Sequence, residues 1–404
     1  MKKVFLTGIS LLLACMVQAQ IVAALQELGM ENIRSIQVGD NTITAFENNV
    51  DRGTYRGIGK AVMAAMESEG STNRQLVVLD NGIPQLCITL PATLIASYKS
   101  KAISLRQVYE QMGISYDTDG TMKQLKKQTE TANSSAWKTD IIIYPDVLLR
   151  NSSLHVLYTY AVNLSPAIET TLWKGAMLTA QVIFPVATNL HGEYKRIRPG
   201  ILTFSQEVRL KNNFFGKFYV GNFSNNRLGA SLEMKCYLNN GRMNFGAQIG
   251  STSYSMVLSN GWYVGRKQRI NASVSASGYI PKVNLQIDLQ ASRYVYGDYG
   301  VRGDVTRYFG EYAVGLYGIY TQGEKNGGFH FSIPFPGKKR PRRKYIRIMQ
   351  PENFRWEYSM VSWGKYMDKN MAYTYKTEPV PSDKTFYQPD YIRYFLLKEL
   401  KRTN

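Results

Sequence analysis

Cysteine is scarce in this chain: Cys15, Cys87 and Cys236 are the whole complement among 404 residues, and no two form a CxxC pair. A disulfide framework is therefore excluded. With only His155, His191 and His330 as histidines, so is a Cys/His zinc module. Long apolar runs are missing too. Beyond the first twenty residues no stretch of 18 apolar residues occurs, which excludes a bundle of membrane-spanning helices. No carboxylate pair stands at a spacing diagnostic of a glycosidase. The Gly53–Lys60 stretch has the wrong glycine spacing for a phosphate loop and is followed by Ala61 where Ser or Thr is needed. Neither catalysis nor a cofactor is expected. Acidic residues are few against basic ones, 30 to 49, for a net charge of +19. Such an excess suits nucleic acid, an anionic membrane surface or an acidic polymer.

What is present begins with an address. Met1-Lys2-Lys3 is a basic opening, an apolar stretch runs from Val4 to Val17, and Val17-Gln18-Ala19 supplies a cleavage site before Gln20. This is the layout of a secretory signal peptide over 1–19. Cys15 offers the alternative of a lipidated cysteine, although Leu12-Leu13-Ala14 is a poor lipobox. Export removes nucleic acid from the list of partners, and loss of Lys2 and Lys3 leaves a net charge of +17.

Residues 20–135 read as a mixed α/β unit. Helical spacing in 21–30 ends on Gly29. Two alternating runs flank Gly39-Asp40-Asn41, an amphipathic helix covers 55–68, and a second hairpin turns on Asp80-Asn81-Gly82. Leu105 to Thr129 is expected to be helical. Cys87 falls in the second hairpin as an apolar-like core residue.

Over 136–376 the texture becomes one of long alternating runs. Leu202, Phe204, Val208 and Leu210 share one face and Thr203, Ser205, Glu207 and Arg209 the other. Ala272, Val274 and Ala276 likewise oppose Asn271, Ser273 and Ser275, and Leu285, Ile287 and Leu289 oppose Gln286, Asp288 and Gln290. Turns such as Asn239-Asn240-Gly241 join the runs. This is an up-and-down antiparallel meander with one apolar and one polar face. It fits a soluble sandwich, or a membrane barrel whose apolar face meets lipid. Small and amide residues on the polar faces favour the barrel. So do the tyrosines, 24 of 28 of which follow residue 137; Tyr158, Tyr160, Tyr279, Tyr294, Tyr296, Tyr308, Tyr312 and Tyr320 stand near strand ends, where interfacial girdles use aromatic rings. At roughly 17 residues per strand and turn, the region holds about 14 strands, within a range of about 12–16. Residues 377–404 are punctuated by Pro379, Pro381 and Pro389 and end in a short helix.

The runs "AALQELGMENIRSIQVGDNTITAFENN", "YRGIGKAVMAAM", "NLSPAIETTLWKGAMLTAQVIFPV", "YFGEYAVGLYGIYTQGEKNGGFHFSIPFP" and "FRWEYSM" resemble the YjbH/GfcD-like outer-membrane proteins of exopolysaccharide or capsule biosynthesis. The resemblance covers most of the chain after the signal. It implies a periplasmic α/β domain over 20–135, an outer-membrane β-barrel over 136–376, and a part in export or surface assembly of polysaccharide. Relatives are longer and duplicate both parts. Whether this chain closes alone, pairs with a second copy or joins periplasmic export subunits stays open.

On this reading Glu207, Glu233 and Asp288 line a lumen, with Arg209, Lys235 and Arg302 as contacts for an anionic polysaccharide. Lys338, Lys339, Arg340, Arg342, Arg343 and Lys344 form a basic patch beside a strand, either a solvated turn or a contact for lipopolysaccharide phosphate or acidic polymer. A general porin or secretion scaffold, and a soluble exported β-protein that binds acidic glycans, are the alternatives.

Overall fold

A computed structural model of the chain describes residues 18–403, apart from 127–129, 152–157, 259, 336–340, 343, 359–368 and 381–383. Residues 1–17 of the signal segment, with Cys15, and Lys338, Lys339, Arg340 and Arg343 of the basic run, lie outside the described residues.

Helix α1 (18–27) is stopped by Gly29 at φ +80°. Strands β1 (Glu31–Val38) and β2 (Asn41–Glu47) form the first hairpin, and β3 (Asn73–Asp80) and β4 (Ile83–Leu90) the second. The second turn places Asn81 and Gly82 at positive φ, as a two-residue hairpin loop of right-handed strands requires. Helix α2 (Thr54–Glu67) crosses between β2 and β3, which pair parallel. It buries Ile58, Val62, Ala65 and Met66 in a core shared with Phe46, Leu76 and Val78. Gly57 permits its close approach, since a methyl group there would sit 2.4 Å from the Asn48 side chain. The glycines that superficially suggested a phosphate loop thus serve packing. Helices α3 (Ala92–Lys99), α4 (Leu105–Gln111) and α5 (Asp119–Leu125) complete the unit. The continuous helix expected over 105–129 is interrupted by β5 (Gly113–Ser115), because Gly113 ends α4 and Ile114 gains burial by pairing opposite Ile88 of β4.

The rest of the chain is dominated by a second sheet. Its strands are β6 (Thr139–Asn151), β7 (Tyr158–Thr171), β8 (Ala176–Thr188), β9 (Arg198–Arg209), β10 (Phe214–Phe223), β11 (Arg227–Leu238), β12 (Met243–Leu258), β13 (Gly261–Val264), β14 (Arg269–Ile280), β15 (Leu285–Arg293), β16 (Tyr299–Phe309), β17 (Tyr312–Thr321) and β18 (Glu324–Pro334). Each pairs antiparallel with the next, except that β13 folds back only on the last residues of β12, which pairs over the rest of its length with β14. The α+β class with a mostly antiparallel second part is as the alternation predicts.

The edges depart from a purely antiparallel meander. β19 (Ile346–Met349) pairs parallel with β6, and β20 (Asn353–Glu357) pairs antiparallel with β18. Twelve long strands return the chain to the end where β6 began, so the next strand leaves in the direction of β6. The hydrogen-bonded order is an open path from β19 to β20. Those two end pieces are joined by residues 350–352 alone, a link that spans at most about 14 Å.

The faces are arranged opposite to those of a soluble sheet. Thr203 and Ser205 are 3 % and 5 % exposed, whereas Val314 and Leu316 are 54 % and 67 % exposed. The pattern repeats around the sheet: Ile168, Phe184, Leu232, Ile249, Val274 and Leu289 are all open, while Ser165, Gln181, Ser231, Thr252 and Asn271 are buried. Large aromatics stand exposed near both strand ends, with Trp137, Trp173, Phe309 and Tyr312 at one end and Tyr158, Tyr160, Tyr263, Tyr299 and Tyr320 at the other. Four of the tyrosines singled out from sequence are thus outward. Tyr279, Tyr294 and Tyr308 are buried instead; strand parity turns Tyr279 and Tyr308 to the polar side, and Tyr294 lies just beyond the end of β15.

The α/β unit packs against the end of the sheet where β6 begins. Asn240 accepts from the Tyr116 N–H at 3.0 Å and donates to the Ile114 carbonyl at 3.1 Å. Helix α6 (Pro389–Thr403) returns there too, with Tyr391 donating to the Gly310 carbonyl at 2.9 Å and Ile392, Phe395 and Leu396 entering the α/β core.

Candidate functional site

The polar face of the sheet is where the chain concentrates unusual chemistry, and the residues before α6 run along it. At the end far from the α/β unit, the Ala372 N–H donates to Asp298 Oδ2 at 2.7 Å and the Tyr373 hydroxyl to the Asn225 carbonyl at 2.7 Å. Tyr375 stacks on Phe223 at 5.0 Å between centroids and donates to Asn271 Oδ1 at 2.9 Å. Next, Thr203 donates to the Thr377 carbonyl at 3.3 Å, and Glu378 pairs with Lys217. Nearest the α/β unit, Lys384 reaches Asp80 at 2.7 Å and Glu207 at 3.3 Å, and Thr385 donates to Gln286. Residues 371–380 and 384–388 therefore follow the polar face from one end of the strands to the other.

Beside this segment lies a cavity of about 590 Å³. Of the residues expected to line a lumen, Glu233, Lys235, Asp288 and Arg302 all border it. Glu207 is buried just beyond, 3.9 Å from Lys217, which stands directly opposite it on β10. Arg302 is held by Asp304 at 2.7 Å and Glu357 at 2.8 Å, with its guanidinium 4.2 Å from the Tyr317 ring centre. Glu233 and Lys235 stand two residues apart on β11, so they share a face, and Glu233 lies directly opposite Lys217 on β10.

Arg209 does not serve the cavity. It donates to the carbonyls of Pro84 and Gln85 at 2.9 and 3.0 Å and also to that of Tyr116, so it ties β9 to the α/β unit. Five donors in a fixed fork suit a cluster of carbonyls where a lysine would not.

Arg342 of the basic run also behaves unlike part of a surface patch. Arg342 is largely buried, bidentate to Asp140 at 3.0 and 2.7 Å and 3.1 Å from Glu31. Arg347 makes a second bidentate pair with Asp140 at 2.9 and 2.7 Å, and Lys138 pairs with Glu31 at 2.9 Å. The network links β1, β6 and β19. Lys344 is exposed.

Within the α/β unit, burial raises the Glu47 carboxyl above its ordinary value, helped by Asp80, against hydrogen bonds from the Gly82 N–H and Asn32. Burial likewise raises the Cys87 thiol, which is consistent with a core residue.

Sequence reasoning missed Lys217, Glu378, Lys384 and Asp80. Lys217 could have been found, because its inward parity on β10 sets it against Glu207. Nothing in the proline-punctuated stretch signals that Glu378 and Lys384 lie along the sheet. No family model, curated protein or solved structure matches the chain.

Proposed function

We propose that the chain is a non-enzymatic outer-membrane β-barrel protein taking part in export or surface assembly of exopolysaccharide, with its α/β unit in the periplasm. One observation carries the membrane reading: the outward face of the sheet is a continuous apolar surface while the opposite face is polar and buried. In water such a surface far exceeds the few hundred Å² that soluble monomers expose. In a bilayer it is the lipid-facing band, and the exposed aromatics near both strand ends fall where interfacial girdles belong. The link between β19 and β20 brings the two edges of the sheet near each other, as closure requires.

Orientation follows from the connections. At the end bearing the α/β unit the turns between successive antiparallel strands are all short (172–175, 210–213, 239–242, 281–284 and 310–311). The other end carries the longer 189–197 and the excursion through β13 beside the short 224–226, 294–298 and 322–323. Short periplasmic turns and longer outer loops are the usual pattern. Arg342 and Lys344 of the basic run, between β18 and β19, then face the periplasm, away from outer-leaflet lipopolysaccharide. Polysaccharide as the cargo rests on the resemblance of the sequence runs. The segment along the polar face leaves less room than an open general porin needs.

Membrane fractionation tests the first half. Extraction by detergent, with a gel mobility that changes on heating, is expected; release by salt alone would favour the soluble glycan-binding alternative. Deletion of the gene tests the second half and is expected to lower surface polysaccharide. Unchanged polysaccharide with reduced small-solute permeability would favour a porin.

A further inference from the structure

The cavity beside residues 376–380 and 384–388 has a composition that bears on what it accepts. Its strand-borne charges are answered locally. Arg302 is clamped between Asp304 and Glu357, Lys235 shares a face of β11 with Glu233 two residues away, and Lys217 at its margin is held by Glu378 and faces Glu207. A polyanion entering here would meet no run of unmatched cations along the strands. To reach Arg302 it would have to displace two carboxylates from a partly buried guanidinium, exchanging one ion pair for another and leaving the largely buried Asp304 unpaired. The remaining wall is of another kind. Gln248, Gln290, Ser273, Ser275 and Ser277 all border the cavity from the polar face. Primary amides and hydroxyls both donate and accept, and so do the hydroxyls of a sugar. The volume, about 590 Å³, falls in the range of sites for small organic ligands.

From this juxtaposition of matched charges with an amide and hydroxyl wall, we infer that the cavity is a binding site for an uncharged, hydroxyl-rich glycan segment. The inference rests on the export reading above and deepens it by naming the class of saccharide. It also replaces the anionic polymer expected from Arg209, Lys235 and Arg302, because Arg209 is spent on the α/β unit and the other two already have acidic neighbours.

The test uses the full chain purified in detergent, with maltoheptaose as the neutral probe and heptagalacturonate as the anionic one, followed by calorimetry at low and high salt. Maltoheptaose is expected to bind with an affinity insensitive to salt and more tightly than heptagalacturonate. The double variant Gln248→Ala/Gln290→Ala is expected to bind maltoheptaose about tenfold more weakly, through loss of two hydrogen-bonding groups. The same variant is to retain its heat-modifiable mobility, which separates loss of the site from loss of the fold. Tighter, salt-sensitive binding of heptagalacturonate would overturn the inference, and so would binding of neither probe by a folded, detergent-extracted protein. Release of the chain from membranes by salt alone would instead overturn the reading on which the inference rests.

Discussion

The indole N–H of Trp356, on β20, donates to the carbonyl oxygen of Val147, on β6, at 3.0 Å. The two strands belong to opposite edges of the large sheet, and no backbone ladder joins them among the described residues. One side chain thus spans the gap that the 350–352 link leaves. Around it, the Trp356 ring packs against Phe329 and Phe331 of β18 at 5.8 and 5.5 Å.

Removing that bridge is expected to loosen the edges. Trp356→Phe keeps much of the ring packing and loses the hydrogen bond, a cost of about 0.5–1.5 kcal/mol. Trp356→Ala loses both, with a cost of about 3–5 kcal/mol if the site stays uncollapsed. The temperature at which gel mobility shifts on heating measures this. An unchanged temperature in Trp356→Ala would mean that the edges are held by other contacts.

Asp140 is the shared counter-charge of Arg342 and Arg347, and all three are largely buried. Asp140→Ala removes the bidentate partner shared by the two guanidinium groups, leaving Arg342 with Glu31, and is expected to destabilise the chain by about 3–5 kcal/mol. Urea titration of the purified protein reads the loss. Lys344→Ala, in the same run but exposed, is expected to change stability by less than about 0.5 kcal/mol. Equal effects would contradict the division of labour within the run.

Docking of α6 is expected to depend on pH. Burial pushes Asp390 upward, but hydrogen bonds from Arg242 and Gln388 outweigh it and hold the carboxyl below its ordinary value. The folded state therefore binds its proton less readily than the unfolded state. The resulting stability is present above the ordinary carboxylate value, about 3.9, and is lost as pH falls through the lower folded value. Amide protection over 391–400, corrected for intrinsic exchange, should fall in that acid window. Asp390→Asn should remove the step, and an identical acid step in that variant would assign it elsewhere.

Glu378→Ala is expected to free the segment along the polar face without loosening its wall. Hydrogen exchange should quicken over 371–380 and stay unchanged in β9 and β10. Parallel quickening in those strands would show that Glu378 is needed by the sheet itself.

Much of this was legible because strand parity is strict. Placing Thr203, Ser205 and Glu207 on one face needed only the two-residue period, and the hairpin at Asn81-Gly82 only its turn chemistry. Parity also sends Tyr279 and Tyr308 inward, so their presence near strand ends misled where their register would not have. Other features had no local signal. The pairing of Ile346–Met349 with β6 joins residues some two hundred positions apart, and its parallel sense follows from how many strands precede it. Arg342 resembles its basic neighbours in sequence; only the meeting of Asp140 and Glu31 in space separates it from them. The path of Tyr375, Glu378 and Lys384 is set by partners on several strands and by Asp80, none of them near in sequence.

Lys217 and Glu207 occupy opposed positions on adjacent strands, 3.9 Å apart, and each also takes an opposite charge from the segment that lies along them, Glu378 and Lys384 respectively. The four charges can be sorted in two ways, wall with segment or wall with wall. Withdrawal of Glu378 and Lys384 would leave the wall electrically neutral at this point, with each group still facing its opposite. The sheet does not depend on its own tail for charge balance there, and a guest held by such contacts can depart without stranding its host.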